Sequence, residues 1–317
     1  GEFTLALYEL LTSGDDGIDP ADVRDQIYAI PTSGVAYEFT LRIFALLDLD
    51  PRNVAQEVTS YDLLQWRNGD EIDRDGLVGR IGAIWPRIVS ESATNVGETE
   101  VNFGAVVGNP PFQVSDNTGR QGSARSIYHH FVDIARALST DYVTMITPSV
   151  WFVGGKGLDA FRRSMIDDPG IAKVRHFITS QDVFPDVNLR GGVSYFLIDK
   201  SYDNVSGGID VSVVRNGREV SRGTRPGKIP GIDQFVVDIQ AIGILDKVKR
   251  NATALGCADE AARLADIVSS RNPFGISTKD AQEVIRDASV GDAQIPIYAS
   301  RGRFGYVSPD DLRPSAV

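Results

Sequence analysis

From residue 103 onward the sequence alternates short apolar runs with amphipathic stretches, and this rhythm leaves few architectures open. Apolar runs fall at 103–107, 142–146, 172–178 and 192–198, with apolar residues at helical spacing over 127–138 and 157–167. Short runs rich in β-branched and aromatic residues read as strands, and apolar residues three and four apart read as helices. Strands separated by whole helices cannot close as hairpins. They pair in a parallel-rich sheet with helices on its faces, so the chain is predicted to be α/β.

Around this block the pattern is less regular. Residues 1–11 carry Phe3, Leu5, Leu7, Leu10 and Leu11 at largely helical spacing with no capping segment before them, which reads as a chain entered midway. A turn-rich loop at 12–20, short strands at 26–30 and 54–64, and helices at 35–47 and around 77–88 are predicted next. Beyond Lys200 the rhythm changes to short strands, Gly- and Arg-bearing loops, and helices near 238–250 and 258–269. Domains hold roughly 100 to 200 residues. A chain of 317 is therefore expected to form two units, 1–204 and 205–317, the second ending without an obvious final element.

Composition removes several functions. Apolar residues at 42% and charged residues at 24% exclude a disordered chain, and no apolar run is long enough to span a bilayer. No basic, apolar leader opens the sequence, so cytoplasm is the expected location and no membrane partner is expected. The one cysteine, Cys257, excludes an internal disulfide, and its alanine-rich helical setting suits a buried, inert thiol. With 3 histidines beside it the chain cannot build a usual four-ligand zinc site, and no metal is expected. His129 and His130, adjacent on a helix, are expected to point apart. Gly154-Gly155-Lys156-Gly157 lacks the spacing of a phosphate-binding loop and reads as a tight turn.

A net charge of −11 argues at first against a nucleic-acid partner. Its distribution reverses that reading: residues 1–200 hold 17 Lys and Arg against 28 Asp and Glu, whereas 201–317 hold 15 of each. Within the neutral part Arg215, Arg218, Arg222, Arg225 and Lys228, interrupted only by Glu219, form a linear basic stripe of the kind that neutralises phosphates. A solvated loop is the plain alternative.

The most informative chemistry is Asn109-Pro110-Pro111-Phe112, delivered by the apolar run at 103–107. An amine conjugated to an aromatic ring, such as adenine N6, is a poor nucleophile because its lone pair is delocalised. Two acceptors aimed at its hydrogens localise that pair as an electrophile arrives, which stabilises the transition state more than the ground state. The Asn109 side-chain oxygen and the Pro110 carbonyl can supply them. Two prolines lock the turn, and Phe112 offers a flat face to a base taken out of its stack.

Further motifs follow in order. Ser126-Ile127-Tyr128 opens a helix with Phe131, and Thr147-Pro148-Ser149-Val150-Trp151-Phe152 precedes the glycines at 154–157. Asp182-Val183-Phe184-Pro185 leads to Gly191-Gly192-Val193-Ser194-Tyr195-Phe196. Together with Asn109-Pro110-Pro111-Phe112 this set strongly resembles the adenine-N6 DNA methyltransferases of bacterial restriction-modification systems, over about residues 1–200. The resemblance implies a Rossmann-like S-adenosylmethionine-dependent methyltransferase fold with its N-terminal part truncated, followed by a smaller mixed α/β DNA-recognition region. It implies S-adenosylmethionine as cofactor and double-stranded DNA with a flipped adenine as partner. A nuclease or helicase region, on the same or another polypeptide, is a further partner of such systems.

Matched position by position, Asn109, Pro110, Pro111 and Phe112 resemble the family's catalytic tetrapeptide, and Phe184 the aromatic that contacts the flipped adenine from another side. Tyr61-Asp62-Leu63 is similar to the segment where an acidic residue holds the cofactor's adenine amine, which implies Asp62 and Leu63 as cofactor residues. Gly1, Glu2 and Phe3 look like the tail of the glycine-rich cofactor loop. The family's ribose-binding acidic residue has no counterpart in Ile30-Pro31-Thr32-Ser33. About 40 residues separate Leu63 from Phe103, too few for a recognition domain, so recognition is expected after the catalytic part, the gamma arrangement. Two other readings compete: a methyltransferase acting on RNA or protein glutamine, and a degenerate, non-catalytic DNA-binding module.

Overall fold

The apolar runs pair into a central mixed sheet. In this computed structural model residues 2–13, 17–68, 71–91, 99–101, 103–114, 125–254, 295–299 and 303–308 are described. The strands are β1 (Phe103–Gly108), β2 (Ser139–Pro148), β3 (Ile171–Phe177), β4 (Val193–Asp199), β5 (Ile209–Arg215) and β6 (Arg218–Arg225), in the spatial order β6-β5-β3-β4-β2-β1. β1 pairs in parallel with β2, and β3 with β5, while β4 runs antiparallel between β2 and β3. The strands β1, β2, β3 and β5 therefore all end at one edge of the sheet. The predicted α/β class is the one observed.

Alternation along each strand places Met145, Phe196, Val174 and Val211 side by side on one face. Helices α4 (Tyr128–Leu138) and α5 (Asp159–Asp167) close over that face with Phe131, Phe161 and Met165. The N-terminal part has two smaller clusters. Leu77, Val78 and Ile81 of α3 (Arg74–Ile84) pack with Ala55, Val58 and Trp85. Val23, Ile27 and Phe44 gather Leu7 and Leu11 of α1 (Glu2–Thr12) and Leu41 of α2 (Gly34–Leu46).

Several expectations change. The strands predicted at 26–30 and 54–64 reduce to one parallel bridge, Ala29 to Val54. Residues Ser60–Trp66 coil into a 3-10 helix instead, because the Asp62 carboxylate accepts from both the backbone N–H and the hydroxyl of Thr59 and so starts a helical turn. The division at 204/205 is also corrected: β5 and β6 belong to the sheet, and the compact units are Gly1–Ile242 and Gly243–Val317. Within the second unit β7 (Ile295–Ala299) and β8 (Arg303–Val307) form an antiparallel pair. α6 spans Ile239–Ala254, whereas the helix expected at 258–269 and Cys257 lie outside the described residues. No helix among the described residues is long and apolar enough to cross a membrane.

One row of the covered face is polar. Thr147, Ser194 and His176 are cross-strand neighbours, all buried, and among the described residues neither His176 ring nitrogen has a hydrogen-bond partner. Burial pushes the His176 imidazole down from 6.5 to about 4. The unfolded chain therefore binds the extra proton between these values. Stability is fully present above the unfolded value and is lost on acidification by up to about 1.4 kcal/mol per pH unit. Melting temperatures taken from neutral pH down to pH 4 should fall along this limb, and His176→Leu should make it shallower by the His176 share. An identical acid limb in the variant would assign the loss to other groups.

Candidate active site

The end of β1 makes the centre of the site. Pro110 and Pro111 have no N–H to continue the ladder with β2, so the chain leaves the sheet immediately after Gly108. Beyond it Asn109 is exposed, Pro110 buried, and Pro111 and Phe112 half-buried. The Phe112 carbonyl accepts from the backbone N–H of Ile127 at 3.2 Å, which ties the tetrapeptide to the start of α4. Among the described residues none hydrogen-bonds the Asn109 side chain, which leaves its amide available to a ligand.

β1 is the edge strand of its sheet, and along its open side lies a cavity of about 760 Å³. Residues 103–111 form one wall; Leu7 and Leu11 of α1, with Ile30, Thr32, Ser60 and Leu63, contribute to the rest. The apolar run at 103–107 is thus half open, with Gly104 and Ala105 exposed. The Ser60 N–H donates to the Pro31 carbonyl at 2.9 Å, which holds the ends of two separate segments together at the cavity.

Phe184 arrives from the loop between β3 and β4. That loop is organised by the Ser180 hydroxyl, which donates to the Val187 carbonyl at 2.7 Å and accepts from the Leu189 N–H at 2.9 Å. The Phe184 N–H bonds the Ser180 carbonyl at 2.8 Å. The return into β4 requires Gly192, at φ 75°, where a Cβ would lie 2.0 Å from the Phe177 carbonyl oxygen. Held this way, Phe184 meets Phe112 edge-on, with centroids 6.0 Å apart and planes at 68°.

Of the cofactor residues suggested by sequence, Leu63 lines the cavity and Asp62 does not. The Asp62 carboxylate is exposed and committed to Thr59, whose hydrogen bonds hold it below the usual carboxylate value. Gly1 lies outside the described residues, as does the Glu2 side chain. Phe3, on the first turn of α1, is 42% exposed and lies off the cavity, which α1 reaches through Leu7 and Leu11. Sequence reading missed Thr32 and Ser60, which line the cavity; Thr32 follows closely on the apolar run at 26–30, whereas Ser60 lies inside the segment read as a strand and carried no signal.

The linear basic stripe does not survive folding. Strand alternation turns Arg225 inward: it is 2% exposed, donates to the carbonyls of Pro226 and Gly227 at 2.9 and 3.1 Å, and lies 4.5 Å from the centre of the Phe235 ring. Burial lowers its pKa to about 10, so it stays charged at neutral pH but is walled off from any phosphate. Arg222 faces outward with Asp210 at 3.7 Å and Glu219 at 3.9 Å, and Lys228 pairs with Asp167 at 2.6 Å. Arg215 and Arg218, opposite each other at the β5–β6 turn, are exposed and have no ion pair among the described residues.

The two adjacent histidines also differ from expectation. Their rings approach to 3.8 Å instead of pointing apart, and burial pushes His130 down to about 3. Gly155 and Gly157 adopt φ 93° and 77°, as the tight turn requires. Among the described residues no group of three or more His, Cys, Asp or Glu is placed to hold a metal ion.

This geometry can be set beside known proteins. The family described as Eco57I restriction-modification methylase matches residues 25–184. An uncharacterized adenine-specific methylase of Mycoplasma pneumoniae is 32% identical over 111 residues, which are 34% of this chain and 26% of that protein. The chain thus spans about a quarter of the length of that curated relative. The methyltransferase subunit of a type I restriction-modification system from Streptococcus thermophilus aligns with 71% of this chain and 42% of its own, at 14% identity and a TM-score of 0.37. For the type IIG restriction endonuclease BpuSI the shares are 97% and 42%, at 14% identity and a TM-score of 0.35.

The placement of the basic residues separates stability from surface charge. Arg225→Ala leaves two carbonyls unpaired and a void over Phe235, and is expected to cost about 2–4 kcal/mol in urea unfolding. Arg215→Ala should stay within about 0.5 kcal/mol of the parent. Equal, small effects for both would show that Arg225 is not the buried support described.

Proposed function

The chain belongs to the Eco57I restriction-modification methylase family, and on that premise we propose that it transfers a methyl group from S-adenosylmethionine to the N6 amine of an adenine turned out of duplex DNA. One observation carries this reading: Asn109, Pro110 and Pro111 line the large cavity, while the next residue, Phe112, meets Phe184. The tetrapeptide therefore joins a place for a cofactor to a pair of aromatic faces for a base. The adenine-specific description of the similar Mycoplasma pneumoniae protein favours adenine among the amines that such a site could accept.

The residues present fit S-adenosylmethionine. Ile30 and Leu63 give apolar walls for a purine, the hydroxyls of Thr32 and Ser60 give polar partners for a sugar, and the cavity reaches Asn109. When bound, the cofactor supplies an electrophilic methyl group. The chain's own part is to hold the amine. The Asn109 side-chain oxygen and the Pro110 carbonyl would accept its two N–H bonds, localising the nitrogen lone pair as the C–N bond forms and the methyl–sulfur bond breaks, with the sulfur keeping that bond's electron pair. The surplus proton leaves after the transfer, so no base has to act first. Phe112 and Phe184, in edge-on contact with each other, offer aromatic surface against which the extruded ring packs; the cost of unstacking, a few kcal/mol, is offset by this base–aromatic contact.

Asn109→Ala should lower methyl transfer at least about 100-fold while DNA affinity stays near the parent's, since the Asn109 oxygen acts on the transition state. Mass spectrometry of the DNA for N6-methyladenine reads the outcome; near-normal turnover would remove Asn109 from the site. With 2-aminopurine at the target position, the parent should brighten on binding. Phe112→Ala and Phe184→Ala should each brighten less, because stacking is worth ~1–3 kcal/mol per base. Equal brightening in all three proteins would mean that other side chains hold the base.

A further inference from the structure

We propose that the β5–β6 turn, Arg215-Asn216-Gly217-Arg218, is a phosphate clamp for the duplex, set at a fixed distance from the flipped base and fastened to the loop that carries Phe184. This rests on the reading of the site as a DNA methyltransferase. The turn and the tetrapeptide share one edge of the sheet, because β5 runs parallel to β3, and β1 to β2, with β4 reversed between them. In the order β5-β3-β4-β2-β1, four strand steps of ~4.8 Å put the turn roughly 19 Å from Asn109 measured along the edge, with the turn projecting further out of the sheet because Gly108 is level with Val211. A duplex rises about 3.4 Å per base pair. A duplex laid along this edge with its target base at Asn109 would therefore present phosphates to the turn about five or six base pairs away.

The turn is built to hold its place. Asn216 and Gly217, at φ 52° and 71°, close a two-residue hairpin whose strands bring Arg215 and Arg218 face to face. Arg222 and Lys228 have carboxylate partners and Arg225 is buried, so of the five cations in the linear stripe these two alone are exposed without an ion pair among the described residues. The Phe184 loop contributes exposed Asp182 and Asp186 against Arg190, so attraction for phosphate at this end of the edge must come from the turn. Two hydrogen bonds join the turn to that loop. The Ile178 N–H donates to the Val214 carbonyl at 3.0 Å, and the Thr179 hydroxyl donates to the Asn216 side-chain oxygen at 3.3 Å. Ser180, the next residue, organises the loop around Phe184. Seating a phosphate on the turn therefore steadies the aromatic that receives the base.

Gel shifts with duplexes trimmed one base pair at a time on each side of the target test the distance. The parent should lose affinity stepwise when one flank falls below about five base pairs. Arg215→Ala with Arg218→Ala should remove that step and reduce the slope of log affinity against log salt by ~1.8, about 0.9 for each phosphate no longer neutralised. Thermal melting serves as the folding control. A parent that does not shift the duplex, or a double variant with the parent's step and slope, overturns the clamp. Thr179→Val should keep the step and slope but lower 2-aminopurine brightening; brightening equal to the parent's overturns the fastening. Methyl transfer is read separately. A parent that shows the step and slope but makes no N6-methyladenine would sink the function proposed above and leave the clamp standing.

Discussion

The structure depends on one reversed strand. β4 lies between β2 and β3 and bonds both along nearly its whole length, from Val193 opposite Pro148 and Phe177 to Asp199 opposite Tyr142 and Ile198 opposite Ile171. Because it is antiparallel to both, β2 and β3 are forced to point the same way, and their parallel partners β1 and β5 follow. The segments of the proposed site then emerge at one edge: Asn109 after β1, the Phe184 loop after β3, and the arginine turn after β5. The shared row Met145, Phe196, Val174 and Val211 locks the register, since a slip of one residue would turn these side chains out of the core.

At that edge the site forms where the chain is prevented from continuing its sheet. Pro110 and Pro111 end β1 by withholding donors, and Gly192 allows the loop to return beneath the Phe177 carbonyl at a distance that no side chain could tolerate. Between these stops Ser180 uses its hydroxyl as both donor and acceptor to fold the loop on itself. The result is that Phe112 and Phe184, far apart in the chain, meet as a pair of half-buried rings, one anchored to α4 and the other to the loop.

Charge follows the same geometry. A row of arginines in a strand alternates between faces, so a basic stretch in the sequence is divided between core, surface ion pairs and a hairpin tip. Arg225 went to the core, stacked on Phe235. Of the five cations in that stretch, the two at the tip alone are exposed without an ion pair among the described residues. This reconciles an acidic chain with a DNA partner under the proposed function: affinity needs a few well-placed unpaired cations at the working edge, and the bulk acidity keeps the rest of the surface from competing for phosphate.

Much of this was legible in the residues. The strand and helix rhythm after 103, the stop at Asn109-Pro110-Pro111-Phe112, and the tight glycine turn at 154–157 depend on neighbours a few positions apart, and sequence alone determined them. The Asn216-Gly217 turn was equally local and was overlooked among the arginines around it. The segment at 54–64 looked like a strand because its apolar residues are dense, but a cap between Thr59 and Asp62 prevailed once sheet pairing was limited to a single bridge. What only the tertiary structure decided was which side chains meet: Leu63 at the cavity and Asp62 away from it, Phe184 against Phe112, Arg225 inside and Arg215 outside. Those choices rest on strand order, register and the direction of each Cβ, which are set by pairings between distant segments and cannot be read from the short-range periods of the sequence.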